Sequence, residues 1–160
     1  MTSLELDYPE HAEKSFHLDA YCFDSNPERK FFSDLLSDSK VQKVYFTGML
    51  THGQSEFFIQ YIDPESHMVR SYYPDFLIQD ETGQYFIIEV KADYQIDVPV
   101  VLAKKAYAEK LAAASNMKYF ILKASDAQKG HYKMIWEQDA RQRYLDEVIQ
   151  ESRSRTKKEE

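Results

Sequence analysis

The sequence predicts an α/β fold: a mixed central sheet flanked by helices, in the order α-β-β-β-β-α-β, with a further helix at the C-terminal end. Three observations predict it. A capped run with helical spacing occupies residues 25–36. Four short runs rich in Val, Ile, Phe and Tyr follow it. An alanine- and leucine-rich helical segment then leads into one more apolar strand, the order expected when a helix crosses over a sheet. With 160 residues, 43% of them apolar, the chain has room for one cored domain and too little for two. The many aromatics, 12 Tyr and 10 Phe, beside only 4 Gly and 5 Pro, argue against disorder or a fibrous repeat.

Residues 1–24 are polar and acidic without periodicity and read as a mobile or loosely docked arm. The domain proper is expected over 25–153. It opens with "DSNPERKFFSDLLSD": Ser25 as N-cap, Pro27 in the first turn, Glu28 three residues after the cap, then Phe31, Phe32, Leu35 and Leu36 at helical spacing. "VQKVYFTGML" and "SEFFIQYID" read as two strands paired antiparallel across the Gly53 turn. "MVRSYYPDFLIQ" reads as a third strand, with Pro74 at an irregular or edge position because it cannot donate to a ladder. "QYFIIEVKA" is the fourth. "VVLAKKAYAEKLAAAS" suits a helix packed on the sheet, and "MKYFILKA" is apolar enough to predict a strand covered on both faces. The tail starts as a helix, in which Met134, Trp136 and Tyr144 fit a buried stripe, and its charged end, 154–160, predicts fraying.

The single cysteine, Cys22, excludes an internal disulfide and a cysteine-based zinc site, and points to a reducing cytoplasm. No basic leader followed by an apolar run opens the chain, and no stretch reaches the ~20 apolar residues needed to cross a bilayer. The expectation is a protein without membrane attachment. The net charge of -7 speaks against a coat for nucleic acid. It is unevenly spread, however: residues 1–100 hold 7 basic and 18 acidic residues, and the remainder 13 basic and 9 acidic.

The third and fourth strands carry Asp75, Glu89 and Lys91 where apolar residues would cost nothing. If Glu81, Thr82 and Gly83 form a three-residue loop with the glycine left-handed, Asp80 pairs with Gln84, and counting outward 79 faces 85, 77 faces 87 and 75 faces 89. Alternation then places Asp75, Glu89 and Lys91 on one face. Opposed like charges repel, so stability alone does not account for two carboxylates there. Hard oxygen donors suit a divalent cation, magnesium or manganese. A lysine beside such an ion can hold a phosphate oxygen, orient water, or steady the charge that grows during phosphodiester cleavage.

"YPDF" followed after a hairpin by "EVK" resembles the PD-(D/E)XK nuclease superfamily, with its restriction-endonuclease-like core. By that resemblance Asp75 is the motif aspartate after Pro74, Glu89 the second acid, and Lys91 the lysine beyond Val90. The resemblance implies a Mg2+ ion, or Mn2+, on Asp75, Glu89 and the backbone carbonyl of Val90, with Glu28 as a further acid from the preceding helix. "CFDSNPE", "YYPDFLI", "IIEVKAD", "AKKAYAEKLA" and "KYFILKA" look like the nuclease domain at the C-terminal end of type III restriction-type helicase subunits. Transposon-encoded end-cutting nucleases share parts of the pattern as a weaker match. DNA is the implied partner, cut in a restriction-modification or mobile-element setting, with a helicase or other subunit, and a homodimer, as implied assemblies. No Gly-rich phosphate-binding loop or other helicase motif is present, so ATP use does not carry over.

Each residue also has a plainer reading. Glu89 and Lys91 can be a solvated pair on a surface hairpin. Glu28 completes a Ser25-x-x-Glu28 capping box. Lys104, Lys105 and Lys110 can meet the DNA backbone, Lys104 best of the three, or simply face water. Tyr73, opposite Lys91 in the same register, can border the site and nucleic acid or merely pack. Histidines 11, 17, 52, 67 and 131 show no ligand spacing. The competing classes are a noncatalytic module that binds DNA or docks on a partner, and an enzyme acting on RNA.

Overall fold

Ser25 accepts the Glu28 N–H at its hydroxyl, and the Glu28 carboxylate in return accepts the Ser25 N–H at 3.0 Å, so the capping box read from the sequence starts the first helix. The computed structural model describes residues 2–5, 13–15, 20–47 and 58–159. In chain order these form β1 (Thr2–Glu5), β2 (Ala20–Phe23), α1 (Asn26–Ser37), β3 (Val41–Phe46), β4 (Ile59–Ile62), β5 (Val69–Tyr72), β6 (Phe76–Asp80) and β7 (Tyr85–Lys91). A 3₁₀ turn at Asp93–Gln95 follows, then α2 (Pro99–Ala114), β8 (Lys118–Lys123), α3 (Ala124–Gln128) and α4 (Met134–Glu159). The chain divides into two compact units, residues 1–130 and 131–160.

The first unit is built on a four-stranded sheet in the order β3-β6-β7-β8, antiparallel except for the parallel pair β7–β8. This is the expected mixed sheet. The β6–β7 register is the one counted from the loop: Gln79 opposes Tyr85, Leu77 opposes Ile87, and Phe76 opposes Ile88. Gly83 sits at φ +89, a conformation open to glycine because it lacks a Cβ. Asp80 Oδ1 accepts bonds from the Thr82 N–H, the Thr82 hydroxyl and the Gln84 N–H, which closes the loop on itself.

Two pairings differ from expectation. β3 does not pair with β4; it pairs with β6, and β4 pairs with β5 in a separate two-stranded sheet. The expected Gly53 turn and the adjoining ends of both runs lie outside the described residues. The physical reason is Pro74, which interrupts the single strand expected over 68–79. Its first half, β5, turns to β4, while its second half, β6, enters the central sheet between β3 and β7. β8 is partly covered on both faces, with Tyr119 packed on the α2 side and Leu122 buried on the other. It lies at the end of the strand order, with Leu122 as its one fully buried residue, whereas β7, flanked by β6 and β8, is buried from Phe86 to Val90.

One face of the sheet is packed with aromatics. Phe31 meets Phe76 edge-on at 5.1 Å between ring centroids, and Phe46 lies 5.1 Å from Phe76. Tyr21 and Phe23, within the stretch expected to be an arm, are fully buried and stack into this layer against Phe32 and Phe46. Phe86 and Ile88 share the face, because they oppose Ile78 and Phe76. Ile87, Glu89 and Lys91 therefore point to the opposite face. There α2 packs with the β4–β5 hairpin, burying Ile59, Tyr61, Tyr72 and Ala108, with Tyr119 of β8 beside them. Pro99 starts α2, and Asn116, at φ 57, ends it while the Met117 N–H returns to Ala112 O at 2.7 Å.

In the second unit α4 buries Ile135 and Trp136 but leaves Tyr144, expected on the buried stripe, 66% exposed. The helix continues through 154–159, where charge alone predicts fraying; Arg, Lys and Glu are good helix formers. Among the described residues no helix is long and apolar enough to cross a membrane.

Candidate active site

Strand β6 begins one residue after Asp75, so the 75–89 pairing counted from the loop is not a ladder pair. The side chain bridges the gap instead. Asp75 Oδ2 accepts the Val90 N–H at 2.9 Å, which fixes the carboxylate against β7 beside Glu89. Asp75 is half-buried, and Glu89 is 5% exposed. Lys91, two residues along the same face, places its ammonium 3.2 Å from Glu89 Oε1. The other oxygen, Glu89 Oε2, is buried and has no hydrogen-bond partner among the described residues.

The electrostatics follow from this crowding. Burial first, then the nearby charges of Glu89 and Glu28, push the Asp75 pKa well up; the Val90 N–H and Lys91 oppose the rise only in part. Burial raises Glu89 as well, against the pull of Lys91 and Lys104. Burial alone would lower Lys91, but Glu89, Asp75 and Glu28 outweigh it and hold the ammonium above the ordinary lysine range. Lys91 is therefore charged at neutral pH.

Glu28 is buried and serves the capping box through Oε2, which also accepts the Ser25 hydroxyl at 3.1 Å. It nevertheless stands near enough to raise the proton affinity of both Asp75 and Lys91. Burial raises its own pKa, with Asp24 adding to the rise. The plain reading and the site reading of Glu28 thus coexist.

Lys104 does not face outward. Its ammonium lies over two rings, 5.4 Å from the centre of Tyr61 and 5.2 Å from that of Tyr72. It feels the charges of Lys91, Glu89 and Asp75. Lys105 instead is exposed, with Glu109 at 3.9 Å, and Lys110 is exposed beside the Tyr107 ring. Tyr73 lies outside the β6–β7 ladder, its ring 6.1 Å from that of Phe58. Tyr61 and Tyr72 were not singled out from the sequence. Their approach to Lys104 depends on β4 pairing with β5, which the expected β3–β4 pairing hides.

Among the described residues no three side chains of His, Cys, Asp or Glu form a ready cation cage. The donors present still fit a hard divalent ion: two neighbouring carboxylates, the charge of Glu89 raising the proton affinity of Asp75, and one buried carboxylate oxygen without a partner among the described residues.

Residues 50–124 match the family model of the TnsA-like endonuclease N-terminal domain. The matched segment carries Asp75, Glu89, Lys91 and Lys104 and ends short of Glu28 on its N-terminal side. That domain belongs to the PD-(D/E)XK nuclease-like fold, and the central mixed sheet with flanking helices is consistent with a restriction-endonuclease-like architecture. The match falls on a family related to mobile elements, to which the short motifs bear a weaker resemblance than to the type III helicase subunits. No curated protein sequence matches the chain.

Proposed function

We propose that the protein is a divalent-cation-dependent endonuclease that hydrolyses phosphodiester bonds in DNA, of the mobile-element-related kind. The observation that carries this reading is the carboxylate pair of half-buried Asp75 and buried Glu89, with Lys91 bonded to one Glu89 oxygen and the other unsatisfied among the described residues. The family match over 50–124 supports the same reading. The type III helicase-subunit likeness rests on short motifs, and the family match favours the mobile-element branch.

Asp75 and Glu89 would hold the ion, Mg2+ or Mn2+, with the Val90 carbonyl as the third donor implied by the superfamily resemblance. When bound, the ion polarises the phosphate and makes water a stronger nucleophile. The chain's own part lies in charge and position. Hydrolysis adds water across a P–O bond while negative charge grows on the phosphate oxygens, and the Lys91 ammonium is fixed and charged where it can steady that growth. Asp75 is held beside Glu89 by the Val90 N–H, which uses one of its two oxygens. Glu28 supports the site through its charge.

Incubation with supercoiled, linear and single-stranded DNA in Mg2+ or Mn2+ tests the proposal. Cutting is expected from the native chain and not from Lys91→Ala or Asp75→Asn. Cutting retained by both variants removes the proposal. A second reading, a noncatalytic DNA-binding or docking module, draws on the lack of a three-residue cation cage among the described residues. Titration calorimetry separates the two, since the module predicts no heat of Mn2+ binding at neutral pH.

A further inference from the structure

Lys104 is a half-buried cation that forms no ion pair among the described residues. Two aromatic faces hold it instead, and such faces attract an ammonium more strongly as water is removed. Both rings come from the β4–β5 hairpin, and both tyrosines are buried. The Tyr72 hydroxyl donates to that of Tyr119 at 3.3 Å, and Tyr119 stands on β8 opposite Ile87. The hairpin thus determines where the ammonium stands, next to the face that carries Glu89 and Lys91. Burial and the neighbouring Lys91 weaken its hold on its proton, while Glu89, Asp75 and Asp63 favour the charged form.

We propose that Lys104 is a positioning residue of the carboxylate site: a second ammonium that, beside Lys91, balances the charge of Asp75 and Glu89 and competes with the divalent cation for them. The inference rests on the nuclease reading above. With Glu28 counted, three carboxylates against two ammonium groups leave the site one negative charge before any ion arrives. Adding the ion gives the site an excess of positive charge, and a phosphodiester anion answers that excess. Cation and DNA therefore assist each other's binding, and Lys104 carries part of the coupling.

Calorimetric titration of the full chain with Mn2+, in the absence of DNA, tests this with Lys104→Met and Lys104→Arg. Removing one positive charge should tighten Mn2+ binding roughly 3- to 10-fold, the scale Coulomb's law gives for a unit charge acting on a divalent ion through water-like surroundings. Lys104→Arg keeps both charge and ring contact and should bind as the native chain does. A duplex oligonucleotide added to the titration should strengthen Mn2+ binding by the native chain more than by Lys104→Met. Where thermal melting shows Lys104→Met to be unfolded, Lys104→Gln replaces it. A folded neutral variant that binds Mn2+ no more tightly than the native chain overturns the inference while leaving the nuclease reading intact. Absence of Mn2+ binding by the native chain overturns both.

Discussion

The Val90 N–H donates to the Asp75 carboxylate at 2.9 Å, just beyond the last ladder pair of β6 and β7. A backbone group of one strand thereby holds the acid that the other strand delivers. Because the acceptor is an oxygen and not a charge as such, the bond and the repulsion from Glu89 can be separated by substitution. Asp75→Asn keeps an oxygen for Val90 and removes one negative charge from a crowded site. Its melting temperature, measured in chelator at pH 7, should match or exceed that of the native chain, while cleavage is lost. A drop of several degrees would mean that the ionised carboxylate stabilises the fold.

Lys91→Met leaves Glu89 Oε1 without its partner at 3.2 Å. The expected cost is about 1–3 kcal/mol at neutral pH, the range for a buried polar group left unpaired. Acidification should restore part of it, since protonated Glu89 no longer needs a counter-charge. Cleavage should fall roughly 100-fold or more, as for other removed charge-stabilising groups. Urea melts at two pH values and a cleavage time course check both halves.

The two roles of Glu28 can be told apart with its cap partner. Ser25→Ala removes the hydroxyl from the capping box but keeps the carboxylate near Asp75, whereas Glu28→Gln removes the charge. Ser25→Ala should cost about 1 kcal/mol of stability, whereas Glu28→Gln keeps an oxygen for the Ser25 N–H and should cost less. If Glu28 acts in the site, Glu28→Gln alone lowers cleavage; equal activity in the two variants would confine it to capping.

Asp75, Glu89 and Glu28 all hold protons more tightly in the folded chain than in the unfolded one. Their contribution to stability is complete below the ordinary carboxylate range, about pH 4, and is lost as pH rises through the raised folded values. Asp63, held low by the Glu65 N–H, and Asp93, held low by Ser125, work in the opposite sense and lose their contribution only in stronger acid. In chelator the melting temperature should therefore fall from pH 5 to pH 8. Mn2+ should stabilise more at pH 8 than at pH 5, because protons and the ion compete for the same oxygens. A flat profile in chelator would contradict the electrostatics described above.

How much was legible in the sequence depended on how local the cause was. The Asp80–Gln84 loop and the β6–β7 register follow from Gly83 and a count of two, and the α1 cap from residues three apart. The carboxylates and Lys91 came with that register. What stayed hidden was long-range: β3 chooses β6 over β4, and the edge place of β8 depends on the strand order of the whole sheet. Lys104 read as a helical lysine for the DNA backbone or for water, because its tyrosines come from β4 and β5, and the β4 run was expected to pair with β3 instead.

The compact Asp80 loop bears on folding order. Asp75 and Glu89 lie on the two arms of one hairpin, and such a hairpin can close in roughly 1–10 μs, before distant segments have docked. Their mutual repulsion then arises early, at a stage when Lys91, carried by the same hairpin, is the only cation of the site already in place. Lys104 arrives with α2 and the tyrosine pair, so it relieves a strain that the nascent hairpin has had to tolerate. Pulse-labelled hydrogen exchange should accordingly protect the Val90 amide ahead of those in α2.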